Sequence, residues 1–198
     1  MKTEIEAKFL DIDIETMRNK LKSLGASCVY PEAVIRQKIF DYPDFRLHGN
    51  SSWLRLREEN GRTILAFKKW ESEGIHGMKE VEASVGSFEE MEQLLYSIGM
   101  VLKSNQEKKR ELWKLDGVEF MIDTWPWIPT FIEIEGGSEE EVREAAAKLN
   151  FNWAEAYFGG AARIYNRYFD IGYEKIDRCP EILFSPVPEW LEKTRVAS

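Results

Sequence analysis

The sequence predicts a largely antiparallel β protein of the α+β class, its sheet curled or closed and its helices packed outside. Three observations carry that expectation. Eight stretches follow a strand-like pattern, most alternating apolar and polar residues with a period of two. Asn60-Gly61 and Asp116-Gly117 each fall between two such stretches, as tight hairpin turns do. Before Asn152, only three segments combine helical spacing with helix caps.

The first strand runs from Thr3 to Leu10. Asp11 or Asp13 then caps a helix over Ile14–Leu24, whose apolar stripe is Met17, Leu21 and Leu24 and which Gly25 ends. A long strand covers Val29 to Tyr42, interrupted near Pro31. Pro43 to Ser52 reads as a polar loop. A hairpin of Trp53–Arg57 and Thr63–Trp70 follows, turning at Glu59-Asn60-Gly61. The fifth strand is Met78–Val85. Ser87 and Glu90 form a capping box for a helix from Phe88 to about Ile98. Strands over Met100–Leu115, Val118–Thr124 and Phe131–Gly136 come next. Ser138 with Glu141 opens a helix to about Leu149. The half beginning near Gly77 repeats the first in outline. Trp153 to Tyr168 reads as helical despite Gly159-Gly160, and the tail holding Pro180, Pro186 and Pro188 should wrap the surface rather than join the sheet.

The 198 residues fit one domain, and 43% apolar with 31% charged residues is the composition of a folded soluble chain. A net charge of −8 argues against non-specific nucleic-acid binding. Cys28 and Cys179 lie far apart with no metal-site spacing, which favours free thiols in a reducing, cytoplasmic setting. The first strand begins directly after Met1-Lys2, so no signal peptide is expected, and no apolar run reaches membrane-spanning length.

Function enters through the charged faces of the strands. Glu4, Glu6 and Lys8 alternate with Ile5, Ala7 and Phe9, which places them on one face at ~6.6 Å intervals. Alone, that row could be solvated charge. The arrangement recurs in Arg36 and Lys38, Arg55 and Arg57, Lys68, Glu80 and Glu82, Lys108 and Arg110, Asp123, and Glu133 and Glu135. An open sheet would show these residues to water, whereas a closed barrel would turn them inward, where they need pairing, hydration or bound ions. Two carboxylates ~4 Å apart repel by roughly 4 kcal/mol at an effective dielectric near 20, so clustered acids call for cations. Oxygen donors without His or Cys suit Mg²⁺ or Mn²⁺, and the arginines and lysines suit a polyphosphate.

Taken in order, Glu4-x-Glu6-x-Lys8, Trp53-Leu54-Arg55-Leu56-Arg57, Lys68, Glu80-x-Glu82, Lys108-x-Arg110, Asp123 and Phe131-Ile132-Glu133-Ile134-Glu135-Gly136 resemble the CYTH or triphosphate tunnel metalloenzyme family. That family includes class IV adenylate cyclases, thiamine triphosphatases and inorganic triphosphatases. The resemblance runs from about residue 2 to 149 and leaves 150–198 as a helical, proline-containing tail of the same single domain. It implies a closed eight-stranded barrel forming a tunnel. It also implies that Glu4, Glu6, Asp123, Glu133 and Glu135 bind the metal ions, Mg²⁺ or Mn²⁺. Lys8, Lys38, Arg55, Arg57, Lys68, Lys108 and Arg110 would hold the phosphates. Lys38 takes its family position from the following Ile39-Phe40-Asp41, and Arg36 fits a salt bridge as well as a ligand contact. Glu80 and Glu82 would stand on the opposing wall and help position metal or water.

The resulting expectation is a metal-dependent triphosphatase acting on a small-molecule triphosphate, as a monomer or homodimer, without nucleic-acid or membrane partners. Cyclisation of ATP to cyclic AMP is the alternative activity, and a non-catalytic polyphosphate-binding module is the alternative class. Trp125, Trp127 and Trp153 are read as rim or core residues in preference to base-stacking ones. Tyr165, Tyr168 and Phe169 would pack a C-terminal helix across the barrel, with Arg163 and Arg167 on its polar side. His48 and His76 are read as ordinary surface residues.

Overall fold

The computed structural model describes residues 1–196, and its strand pairing defines a barrel. The strands are β1 (Lys2–Phe9), β2 (Ser27–Asp41), β3 (Ser52–Glu59), β4 (Arg62–Trp70), β5 (Met78–Val85), β6 (Val101–Leu115), β7 (Val118–Thr124) and β8 (Phe131–Gly136). They lie in the order β2-β3-β4-β5-β1-β8-β7-β6, and β6 pairs back onto β2. Every one of these pairings is antiparallel. The closed, eight-stranded barrel expected from the sequence is therefore the fold, with its helices outside.

Local chemistry explains the corners. Asn60 and Gly61 have φ of 48° and 72°, and Asp116 and Gly117 have 51° and 85°. Successive positive φ values make type I′ turns, whose twist matches the flanking strands. The β2 register slips between Cys28 and Tyr30 and again between Tyr30 and Ala33, around Pro31, which has no N–H to give the ladder.

Three ten-residue helices pack on the barrel: α1 (Ile14–Ser23), α3 (Phe88–Ser97) and α4 (Glu139–Lys148). Asp13, Ser87 and Ser138 cap them, each side chain accepting from the backbone N–H three residues on. Leu21 of α1, Val142 of α4 and Leu149, which follows α4, are buried against Phe9, Phe120, Ile132 and Ile134, the outward residues of β1, β7 and β8. α3 covers Phe40 and Leu56 with Phe88 and Leu95.

One loop carries more structure than predicted, and one expected helix carries less. Within Pro43–Ser52 lies a short helix, α2 (Arg46–Gly49). The buried Asp41 carboxylate accepts from the N–H groups of Leu47 and His48 and holds its first turn. The expected helix over Trp153–Tyr168 is broken. A 3₁₀ turn at Trp153–Glu155 is followed by α5 (Ala161–Ile164) and a second 3₁₀ turn at Tyr165–Arg167. Gly159, at φ +113°, is the break.

The tail continues as α6 (Tyr173–Asp177), β9 (Glu181–Ile182) and α7 (Glu189–Glu192). It does join the sheet, contrary to expectation: β9 pairs parallel to β6 at Asn105–Gln106. β7 reaches only as far as Lys109 of β6, so the edge beyond it was open to another strand. A third core, with Phe131, Ile164, Tyr165, Phe169, Ile176 and Leu191, fixes this tail over one end of the barrel. Among the described residues, no helix is long and apolar enough to cross a membrane.

Candidate active site

The barrel encloses a cavity of about 940 Å³. Period two brings Glu4, Glu6 and Lys8 of β1 to its wall, while Ala7 and Phe9 point to the outer core. By the same rule, Arg55 and Arg57, Lys68, Glu80 and Glu82, Lys108 and Arg110, Asp123, and Glu133 and Glu135 all line it. Register then decides which side chains meet. Lys8 is paired with Glu133 and Glu6 with Glu135 across β1 and β8, and Arg110 is paired with Asp123 across β6 and β7.

Lysines and arginines bridge the acids. Lys8 Nζ lies 2.5 Å from Glu6 and 3.0 Å from Glu133. Arg110 forks onto Asp123 through Nε and Nη2, both at 2.6 Å, and Nη2 also reaches Glu133 at 2.9 Å. Lys108 donates to Asp123 at 2.8 Å. Toward β5, Lys68 Nζ lies 2.8 Å from Glu4, and Arg55 is 3.0 Å from Glu80. Lys2 sits 3.5 Å from Glu135 at the rim.

This wiring separates the acids electrostatically. Burial raises Glu6 well above the ordinary carboxylate range, and the neighbouring Glu133 adds to it. Burial also raises Glu4 and Glu135, reinforced for Glu135 by Glu4 and Glu133. Glu133 goes the other way: burial pushes it up, but Lys8, a hydrogen bond from Glu6 and Arg110 bring it well below. Asp123 is likewise lowered against its burial by Arg110 and Lys108. Among the cations, burial and the adjacent Arg110 bring Lys108 down to about 8. The β1–β8 wall is thus short of positive charge, and the β6–β7 corner is not.

Lys38 departs from the expectation. It pairs with Leu56 across β2 and β3 and faces outward, its Nζ 2.5 Å from Glu92 of α3. Arg36 lies on the same outer face, bonded to Glu58 and Glu89. Around Arg36 and Lys38 the wall residues of β2 are instead Gln37 and Ile39, the opposite face of the strand. Four further lining residues were not singled out from sequence: Glu59, Tyr30, Gln37 and Gln106. Glu59 continues the Arg55-x-Arg57 alternation, which could have revealed it. Gln37 donates to Gln106 at 2.7 Å, and Gln106 precedes Lys108 on the same face of β6.

Among the aromatic residues, Trp153 packs edge-on to Phe9 in the α1–α4 core, and Trp127 packs edge-on against Tyr165. Trp125 lines the cavity 5.6 Å from Lys108 Nζ. Tyr165 also lines the cavity and is fully buried with Phe169. His48 is more than a surface residue, with Nδ1 2.9 Å from Asp177 and 3.2 Å from Lys103. His76 is exposed beside Glu139.

Residues 2–175 match the CYTH domain, the whole barrel and the first part of its end cover. The chain belongs to the CYTH domain family. Among solved structures, a candidate adenylate cyclase from Vibrio parahaemolyticus superposes with a TM-score of 0.74 at 15% identity, covering 83% of this chain and 98% of that one. A conserved hypothetical protein from Pyrococcus furiosus gives 0.65 at 24% identity, covering 78% and 95%. A Hippeastrum candidate adenylyl cyclase, described as having a dominant triphosphatase activity, gives 0.53 at 16%, covering 81% and 93%. At these identities the likeness is one of fold. No curated protein sequence matches the chain.

CYTH family members act on triphosphate substrates by metal-dependent chemistry in general. Among the described residues of this CYTH chain, no three acid, histidine or cysteine side chains converge as a preformed metal site. The reason is visible in the pairing: Lys8 and Lys68 each hold an ammonium between two carboxylates.

Proposed function

We propose that this chain is a divalent-metal-dependent hydrolase of a phosphoanhydride bond in a triphosphate: inorganic triphosphate, thiamine triphosphate or a nucleoside triphosphate. One observation carries the reading. Arg55, Arg57, Lys68, Lys108 and Arg110 converge on one cavity from β3, β4 and β6, while β1 and β8 contribute a strip of acids. In the barrel order β3 stands across from β8. Such a cavity suits an anion with several phosphoryl groups on one side and hard cations on the other.

The acidic strip fits a divalent ion by its donors and by its charge. Glu4, Glu6, Glu133 and Glu135 offer only oxygen, the donor type a hard divalent ion takes. The raised Glu4, Glu6 and Glu135 carboxyls mark a wall where added positive charge would be favourable. In this reading Glu4, Glu6, Glu133 and Glu135 hold Mg²⁺ or Mn²⁺, joined by Asp123, whose oxygens are shared with Arg110 and Lys108. The bound ion would neutralise charge on the phosphate oxygens as the phosphoryl group transfers.

The remaining roles belong to side chains. Arg55 and Arg57 offer planar forks to phosphate oxygens, and Lys8, Lys68, Lys108 and Arg110 complete the cradle. Burial strengthens these contacts by excluding bulk water. Glu80 and Glu82 stand on β5 beside β1 and not on the opposing wall expected from the sequence, so they would orient the attacking water from next to the acidic strip. In this reading the chain is a single domain, the tail covering one barrel end.

A panel of inorganic triphosphate, thiamine triphosphate and ATP with Mg²⁺ or Mn²⁺ tests the proposal. Release of orthophosphate from at least one member is expected. Cyclisation of ATP is the second reading, favoured by the designation of the Vibrio parahaemolyticus structure. Cyclic AMP with pyrophosphate as the dominant products would replace the first reading by the second. Binding without any product would mark a polyphosphate-binding module.

A further inference from the structure

Glu59 stands among the basic side chains of the cavity rather than on its acidic wall, and nothing in the hydrolytic scheme above uses it. It ends β3 two residues after Arg57, so the strand's period carries it inward with Arg55 and Arg57. Its Oε2 lies 3.0 Å from Arg57 Nε, its Oε1 lies 3.9 Å from Arg110 Nη1, and Oε1 also accepts from the Tyr30 hydroxyl. Among the described residues, Glu59 is the sole ion-pair partner of Arg57. The Arg57 Nε contact is out of line for a hydrogen bond, and Arg57 Nε and Arg55 Nε are both buried without one. Burial and the like charge of Arg55 and Arg110 bring Arg57 down to about 10. Three guanidinium groups sharing one cavity repel, and without an anion beside it the Arg57 fork would be pushed away from the other two.

We infer that Glu59 is a positioning residue: from the Nε side of Arg57 it fixes that guanidinium group for phosphate, and Tyr30 fixes Glu59. The inference rests on the triphosphate reading. Contact at Nε leaves both terminal nitrogens of Arg57 to face the ligand, which is the edge that binds phosphate in two parallel hydrogen bonds. The carboxylate is attached to the same strand as Arg57, so it can act without approaching the ligand itself.

The test is calorimetric binding of inorganic triphosphate to the full chain in excess chelator, for wild type, Glu59→Gln, Tyr30→Phe and the double variant. With Mg²⁺, KM and kcat are measured alongside. Glu59→Gln should weaken binding and raise KM by about tenfold, with kcat changed less than about threefold, the pattern of lost ligand binding shared by ground and transition states. Tyr30→Phe should weaken binding by about threefold, and the double variant should bind no more weakly than Glu59→Gln, because the hydroxyl acts through the carboxylate. Equal or tighter binding by Glu59→Gln would overturn the assignment, since Glu59 would then be a competitor of the phosphate. Effects of the two substitutions that multiply would also overturn it. Should Glu59→Gln fail to fold, Tyr30→Phe tests the same claim alone. Absence of triphosphate binding and turnover in the wild type would instead overturn the functional reading.

Discussion

Replacing Arg110 with methionine should destabilise the protein by about 3 kcal/mol, the lower part of the range for breaking a buried ion pair. The structure sets both the size and the limit. Arg110 supplies two 2.6 Å bonds to Asp123 and one of 2.9 Å to Glu133, and all three side chains are nearly inaccessible. Methionine approximates the aliphatic stem but leaves two buried carboxylates short of donors. Lys108 remains 2.8 Å from Asp123 and Lys8 remains 3.0 Å from Glu133, which keeps the loss near the bottom of the range. For a chain of this length, 3 kcal/mol corresponds to a fall in Tm of about 6–12 °C. Calorimetry and urea unfolding in chelator measure it without any contribution from metal. A second substitution supplies the sharper test. Asp123→Asn removes the charge that Arg110 balances, so the double variant should lose at least about 1 kcal/mol less than the two single losses added together. A single-variant loss under about 1 kcal/mol, or strict additivity, would refute the claim that these residues form one buried network.

Other consequences are simpler. Glu6→Gln and Glu135→Gln should each lower metal-dependent turnover by at least about a hundredfold, as for other lost transition-state contacts; near-normal rates in both would remove them from the site. Lys38 lies outside the barrel on Glu92, so Lys38→Met should leave the KM for triphosphate within about twofold and cost about 1 kcal/mol or less. A larger KM effect would return Lys38 to the cradle. Glu59 is held at about 2 despite its burial, chiefly by Arg57 and Arg110, against an ordinary value of 4.5. Its folded-state value is the lower one, so its contribution is complete above pH 4.5 and disappears as pH falls through 2, about 3 kcal/mol at most. The stability gap between wild type and Glu59→Gln should therefore close over that interval, and a gap independent of pH would contradict the assignment.

What was legible in the sequence is what a period of two can encode. Each of the eight strands has a matching stretch in the chain, both Gly-containing hairpin turns occur as read, and the three ten-residue helices begin at the capping residues identified from sequence. The same periodicity gathered thirteen of the charged residues now found around the cavity. It failed on β2, and the failure has a physical cause. On β1, β3, β7 and β8 the apolar side of the strand meets helices and the charged side meets the cavity. On β2 the outer face alternates Arg36 and Lys38 with Phe40 because α3 brings Glu89 and Glu92 to pair with them, while Ile35 and Ile39 turn inward. Alternation identifies two faces but cannot say which is inside; that is decided by the neighbouring strand, through Gln37 opposite Arg57 and Gln106.

The tail was less legible for a related reason. Its short helices, 3₁₀ turns and two-residue strand have no length over which a period can accumulate, so their placement depends on contacts distant in sequence. Ile182 and Ile176 are held by the third core, and Asn105 N donates to Pro180 O beside β9. The tail nevertheless shapes the cavity, since Tyr165, Ile176 and Ile182 line it beside Trp125 and Phe131. Charge therefore dominates the wall built by the barrel strands, whereas apolar side chains dominate the end that the tail covers. A phosphate chain fits the first environment and would be poorly solvated in the second. This confines the proposed chemistry to the charged section between Glu4, Lys8, Arg57 and Arg110, and makes Glu59, at the edge of that section, the natural place to test how its cations are held.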